Sequence, residues 1–330
     1  MNQRSPSNFN PPRPEQLRAH LERHSPRGPS RLLAWLPIIA LAGVVLLTTV
    51  TNDGWTRMLP WVILAALITT MAFRVRWVRH LEAQVAKVQE LTMMRRFPTA
   101  MRLAWRLLPK VNTMPVLQGR IVAFMAHVLD QVRAYDAAII AYDAAIRHLP
   151  ALHPGAIQLQ INRAITQLIN DQLADADDAL RRLRSQGEVL RHPTSAAAFG
   201  LANLTQQVRT NHFVEAVQSA PGLIELLRPL GIEAGYGHAL MALACHQLAD
   251  HRGASGDSEA RPWWSRATLL LPAKTLVDRF PELSSVAGRY PASSSVPLST
   301  WPSPRESFDH GPSQRELTDL RRNLNHLDHS

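Results

Sequence analysis

Two uncharged apolar runs dominate the first quarter of the chain. Leu32 to Val50 is 19 residues long and Met58 to Phe73 is 16. At about 1.5 Å per residue, a helix over the first run spans the ~30 Å hydrocarbon core of a bilayer, and the second is short of it. Pro37 and Pro60 fall in the first turns, where a missing N–H costs little. Trp35, Trp55, Trp61 and Trp77 stand at the ends, as in an interfacial aromatic belt. Thr51-Asn52-Asp53-Gly54 between the runs has turn chemistry and is too short to hold a domain. The pattern predicts a transmembrane helical hairpin, 32–50 and 58–73. From Arg74 to Arg96 the apolar positions Val78, Leu81, Val85, Val88 and Leu91 fall on one helical stripe. A basic juxtamembrane helix over 74–96 is expected, continuous with the second run. From 97 to about 290 the chain is rich in Ala and Leu, helical in period, and punctuated by Pro.

Charge refines this picture. The chain of 330 residues carries a formal +10. Residues 1–31 hold six Arg against Glu15 and Glu22, and residues 74–110 hold nine Lys or Arg against Glu82 and Glu90. The large C-terminal part is nearly neutral, so a nucleic-acid partner is not expected. Basic flanks on both sides of a neutral turn place both termini, and the bulk of the chain, in the cytoplasm by the positive-inside rule. The two apolar runs hold no charged residue or His that would signal an ion path. Ala65, Ala66, Thr69 and Thr70 form a small-residue patch suited to close packing, within the hairpin or between copies of a homo-oligomer. Arg74, Arg76 and Arg79 fall at headgroup level, either as a topology signal alone or as contacts to anionic lipid.

Self-comparison shows a repeat. Phe97, Tyr135 and Leu173 are 38 residues apart, as are Ala100, Ala138 and Ala176, then Ala104, Tyr142 and Leu180, then Leu107, Ala145 and Leu183. The clearest copy is Tyr135, Ala138, Tyr142, Ala145 and Pro150, with Ala126 at a small position in the preceding helix. Ala260, Trp264, Ala267 and Pro272 keep the same spacings, Ala164 and Ala176 take the small positions of a third copy, and Phe213, Ala216 and Ala220 form a weaker one. Small side chains let two antiparallel helices touch, aromatics fill the gap to the next pair, and Pro ends the helix.

These residues resemble the second helix of a tetratricopeptide repeat (TPR). The family period is 34, and the longer spacing here is assigned to extra loop residues near 152–155 and 253–256. The resemblance covers roughly residues 81–285. It implies an all-α chain: the hairpin followed by a TPR-like α-solenoid of four to five helix pairs over 97–290. It further implies a concave surface that binds proteins or peptides. On that surface it places Arg120, Ala123 and His127 from one pair and Gln158, Ile161 and Ile165 from the next. The Lys/Asn clamp some members use for C-terminal carboxylates does not occur.

No catalytic signature is found. The phosphate-cradling, dinucleotide, HExxH and CxxC patterns are absent, so no enzyme activity, cofactor or metal is expected. Cys245, the single cysteine, adjoins His246 on one helix, where neighbours point about 100° apart, and it fits a buried structural thiol. His148, His153, His238 and His246 lack metal spacing. Asp175, Asp177 and Asp178 fit a solvated helix face. Asn203-Leu204-Thr205 is an acceptor pattern without a route to glycosylation in the cytoplasm. Trp263, beside the packing residue Trp264, is a candidate contact. Residues 1–31 and 291–330 are Pro-, Ser- and Arg-rich and expected to be disordered. The exception is an amphipathic helix near 313–327, with a Ser313…Glu316 capping box, that can dock into a groove or remain in solution. The function these features imply is a membrane-anchored adaptor or scaffold. The alternative is a subunit of a membrane enzyme or transport assembly.

Overall fold

The computed structural model describes residues 9–25, 59–149, 154–187, 191–252 and 257–290. The first apolar run, Pro150, His153, the 253–256 loop and the C-terminal tail with its amphipathic segment lie outside them, while Pro154 and Gly155 of the 152–155 insertion belong to a helix. Every regular element among the described residues is helical. In chain order they are α1 (Pro14–Arg23), α2 (Leu59–Met93), α3 (Phe97–Leu107), α4 (Pro115–Gln131), α5 (Tyr135–His148), α6 (Pro154–Ile169) and α7 (Leu173–Gln186). They continue as α8 (Pro193–Arg209), α9 (Phe213–Gln218), α10 (Ala220–Leu227), α11 (Ala234–Arg252), α12 (Asp257–Leu270), α13 (Ala273–Arg279) and α14 (Ser284–Arg289). Short 3₁₀ turns follow α3, α10 and α13.

The repeat is written into the backbone. Helix pairs α2–α3, α4–α5, α6–α7 and α8–α9 are each closed by one left-handed residue: Arg95 (φ 55°), Arg133 (64°), Asp171 (60°) and Asn211 (61°). In all four turns the following amide donates to the carbonyl five residues back, at 2.8 to 2.9 Å: Arg96 to Leu91, Ala134 to Leu129, Gln172 to Gln167 and His212 to Gln207. That bond satisfies a carbonyl left open at the helix end. The turns recur at 38, 38 and 40 residues, matching the columns read from side chains. Pro115, Pro154 and Pro193 open α4, α6 and α8 at a third common spacing of 39, because Pro at the first helical position gives up no bond.

The pairs touch at alanines. Ala100, Ala126, Ala138, Ala145, Ala164, Ala176, Ala260 and Ala267 are each 0% exposed. Tyr142 and Trp264 are 1% exposed and occupy the wedges between pairs, whereas Phe97 and Tyr135 are half-buried and Pro272 is exposed. The stripe on α2 divides that helix in two. Leu81, Val85, Val88 and Leu91 pack into the core of the first two pairs, while Trp61, Ile68, Met71 and Phe73 are between 60% and 70% exposed. Among the described residues no helix is long and apolar enough to cross a membrane; α2 is described only from Leu59, and the apolar part of its run ends at Arg74.

One segment departs from expectation. Residues 1–31 have the composition of an unstructured tail, yet Pro14–Arg23 forms α1 and packs on α5. Leu17 and Leu21, four apart on one face, are 0% and 5% exposed. The His20 ring stacks on Trp105 at 3.9 Å and 12°. Two leucines and one stacked ring suffice because α1 adds to a surface already built; alone a helix of this length is marginal.

Substitution Ala138→Leu inserts three methylene-sized groups where α4 and α5 meet and is expected to cost about 1–3 kcal/mol. The same change at exposed Ala83 is expected to stay within about 0.5 kcal/mol. Urea unfolding of both variants checks the contrast.

Candidate functional site

The polar centre of the domain lies where the second and third pairs diverge. Asp130, in the last turn of α4, is 4% exposed. Its Oδ1 accepts from Thr166 Oγ1 of α6 at 3.0 Å and from Arg279 at 3.2 Å, and its Oδ2 lies 2.8 Å from Arg279 Nη1. The Arg279 guanidinium also rests over the Tyr236 ring at 5.7 Å. Burial works to lower the Arg279 pKa, but the Asp130 carboxylate outweighs it and holds the guanidinium charged. Tyr142, fully buried beside this pair, has its phenol pushed well above the ordinary value by burial. A cavity of about 70 Å³ adjoins the pair, lined by His127, Asn162, Ile165, Thr205, Glu233 and Tyr236 among others. That volume suits a couple of waters rather than a peptide.

Arg279 belongs to a strap formed by α13, the 3₁₀ turn Pro281–Leu283 and α14. Leu276, Leu283 and Val286 are 0% exposed and Phe280 is 3% exposed. The strap runs along the edge carrying the left-handed turns. Asp278 pairs with Arg133 at 3.0 Å, and Glu282 pairs with Arg209, which also holds Asp171. It therefore fastens the second, third and fourth pairs together.

The expected groove residues separate accordingly. His127 and Ile165 line the cavity beside Asp130. Ile161 is 0% exposed and belongs to the core of the third and fourth pairs; its assignment to a ligand-facing surface is corrected, because the tighter contact between α6 and α8 turns that position inward. Arg120 is exposed, Ala123 is half-buried against the first core, and Gln158 is half-buried with its amide donating to Asn162 Oδ1 at 3.0 Å. Arg120, Ala123 and Gln158 lie outside that cavity's lining. Arg74, Arg76 and Arg79 are exposed on α2. Thr69 and Thr70, in the small-residue patch, donate their hydroxyls to the carbonyls of Ala65 and Ala66 at 2.7 Å and so present methyl groups rather than open donors.

The remaining candidates serve packing or solvation. Burial pushes the Cys245 thiol up to about 11, which leaves it protonated and unreactive at neutral pH. Asp177 and Asp178 pair with Arg181 at 2.7 and 2.9 Å on an open face. Trp263 lies beside His238 and under Arg266. No group of three or more His, Cys, Asp or Glu able to hold a metal occurs among the described residues. Sequence reasoning missed Asp130, Thr166 and Arg279. The one available signal was Asp130 itself, a lone carboxylate closing the apolar helix Ile121–Leu129. No family model, curated protein or solved structure matches the chain.

Breaking a buried pair strands the surviving charge. Arg279→Met is expected to cost about 3–5 kcal/mol, with Asp130→Asn on the same background recovering a large part; chemical denaturation of the three variants checks this.

His127 is mostly buried. Burial lowers its pKa from the ordinary 6.5, with Asp130 and Glu233 opposing and Arg279 assisting. The unfolded chain takes up this proton near pH 6.5 and the folded one resists it, so the contribution is complete above that pH and is lost as pH falls below it. His127→Asn is expected to flatten part of the decline in urea midpoint between about pH 7.5 and about pH 5.5.

Proposed function

We propose that the protein is a membrane-anchored scaffold of TPR type, held by a two-helix hairpin, with its helix pairs on the cytoplasmic side. The observation that carries the reading is the placement of α1 and α2 in one packed body. Leu17 and Leu21 of α1 and Leu81 and Val85 of α2 share a single core. The chain between them contains the 19-residue uncharged run. A segment whose two ends are fixed in one body returns to the side it left, so the number of crossings is even. The bare apolar beginning of α2 supplies the second crossing. At 16 residues the run is short, and Arg57 and Arg74 at its ends can snorkel to the headgroups. Both Arg-rich flanks then fall on the side of the helix pairs, as the positive-inside rule requires.

Recognition of a protein or peptide partner is assigned to the open part of the concave face, centred on Arg120 and Gln158. At the end near His127 and Ile165, Arg279 and Phe280 of the strap line the small cavity. A subunit role, with the hairpin packed against other membrane helices, remains the second reading, favoured by the smooth Ala65–Thr70 face.

Two measurements test the proposal. In a Cys245→Ser background, Asp53→Cys is expected to react with an impermeant maleimide added outside intact cells, while Asp178→Cys reacts only after permeabilisation. The opposite pattern ends the topology. A photo-crosslinker at position 120 is expected to capture a protein from native membranes that one at position 178 does not; equal capture at both ends the assignment to this face.

A further inference from the structure

We propose that the edge of the domain from which α2 projects rests on an anionic lipid surface, with Arg23, Lys110 and Arg147 extending the girdle of Arg74, Arg76 and Arg79. This rests on the membrane reading above and adds to it both a surface and a lipid class.

Four separate elements bring these cations to one edge. α2 and α4 are related by the 38-residue spacing of their turns, which sets Arg76 level with Met114 and Arg79 level with Leu117, the first turn of α4. Lys110 sits in the 3₁₀ turn that ends α3, just before that level. The Gln118 amide donates to the carbonyl of His24, which fixes the end of α1, and so Arg23, beside the same turn. A Cβ on Gly119 would lie 3.3 Å from the Cβ of His148, which places the end of α5, and Arg147 with it, at this level too. All six cations are exposed. Among the described residues none of them has a carboxylate within ion-pair distance. Arg147 attracts Asp143, but that carboxylate is held by Arg163 at 2.8 Å. Glu22 and Glu82 are the opposing charges nearby.

The far edge is built differently. Arg133, Arg209 and Arg279 are each held by Asp or Glu, whereas Arg95, Arg96 and Lys274 are exposed without an ion pair among the described residues. An edge on which all six cations stay unpaired, level with the point where an apolar helix emerges, is complementary to a negative plane at that level. Clusters of Lys and Arg beside a membrane segment are drawn to anionic headgroups in this way.

The test uses the full chain in nanodiscs of phosphatidylcholine alone or mixed with phosphatidylglycerol. Amide exchange is followed over residues 109–118 and 144–149. Exchange there is expected to be slower in the phosphatidylglycerol discs, with the difference removed by high salt. Each neutralisation, Lys110→Gln or Arg147→Gln, is expected to weaken the apparent lipid affinity about fivefold. Unchanged melting temperatures verify that the variants fold. Equal exchange in both discs overturns the lipid contact while leaving the hairpin intact. Failure of the chain to co-elute with either disc overturns the hairpin, and this inference with it. Protection that appears only on adding an acidic protein, in either disc, also overturns it.

Discussion

Close approach of antiparallel helices is the constraint on which the rest depends. Eight alanines without exposed surface let α2 to α12 come together in pairs, and a branched side chain at any of them would push two backbones apart. Because the contacts are made by the smallest side chains, the wedges they leave must be filled from the next pair. Tyr142 and Trp264 do this and are buried as a result. Each pair therefore needs its neighbour, which is the physical content of a repeat. The left-handed turn sets the phase. It recurs in Arg, Arg, Asp and Asn; Asp and Asn adopt that conformation readily and Arg does not, so at Arg95 and Arg133 the geometry is imposed by the packing above the turn rather than by the turn residue.

A stack of pairs would ordinarily leave its inner face open. Here the strap crosses at the turn edge, and its Arg279 reaches 149 residues back to Asp130. Two charges buried together gain little over an apolar pair and lose much if separated. The contact therefore specifies one arrangement of second pair, third pair and strap more than it stabilises the chain. It also divides the molecule functionally. The turn edge is fixed by Arg133–Asp278, Arg209–Glu282 and Arg279–Asp130. The opposite edge keeps its cations and the exposed beginning of α2.

Much of the fold was legible in the residues themselves. The 38-residue columns, the alanine positions and the stripe Leu81, Val85, Val88 and Leu91 all follow from local period, because a helix face repeats at fixed intervals and burial selects residue type along it. The end of α2 and the start of α3 at Phe97 were readable for the same reason. Composition misread residues 14–23. Arg, Pro and His are common in unstructured tails, and α1 is ordered by Trp105, the α5 surface and Gln118 that receive it.

The candidate site was far less legible. The TPR resemblance placed His127, Ile161 and Ile165 on one concave face, but whether that face opens to solvent depends on what else arrives there, and the strap arrives from the far end of the sequence. The chain by itself determined an apolar run flanked by arginines and a set of Ala-notched helices with their period, since each is a property of neighbouring residues. Tertiary structure alone decided that Asp130 meets Arg279, that Ile161 turns inward, and that α1 and α2 share one core. Those outcomes depend on how many small rotations accumulate between pairs, a quantity that no local pattern encodes.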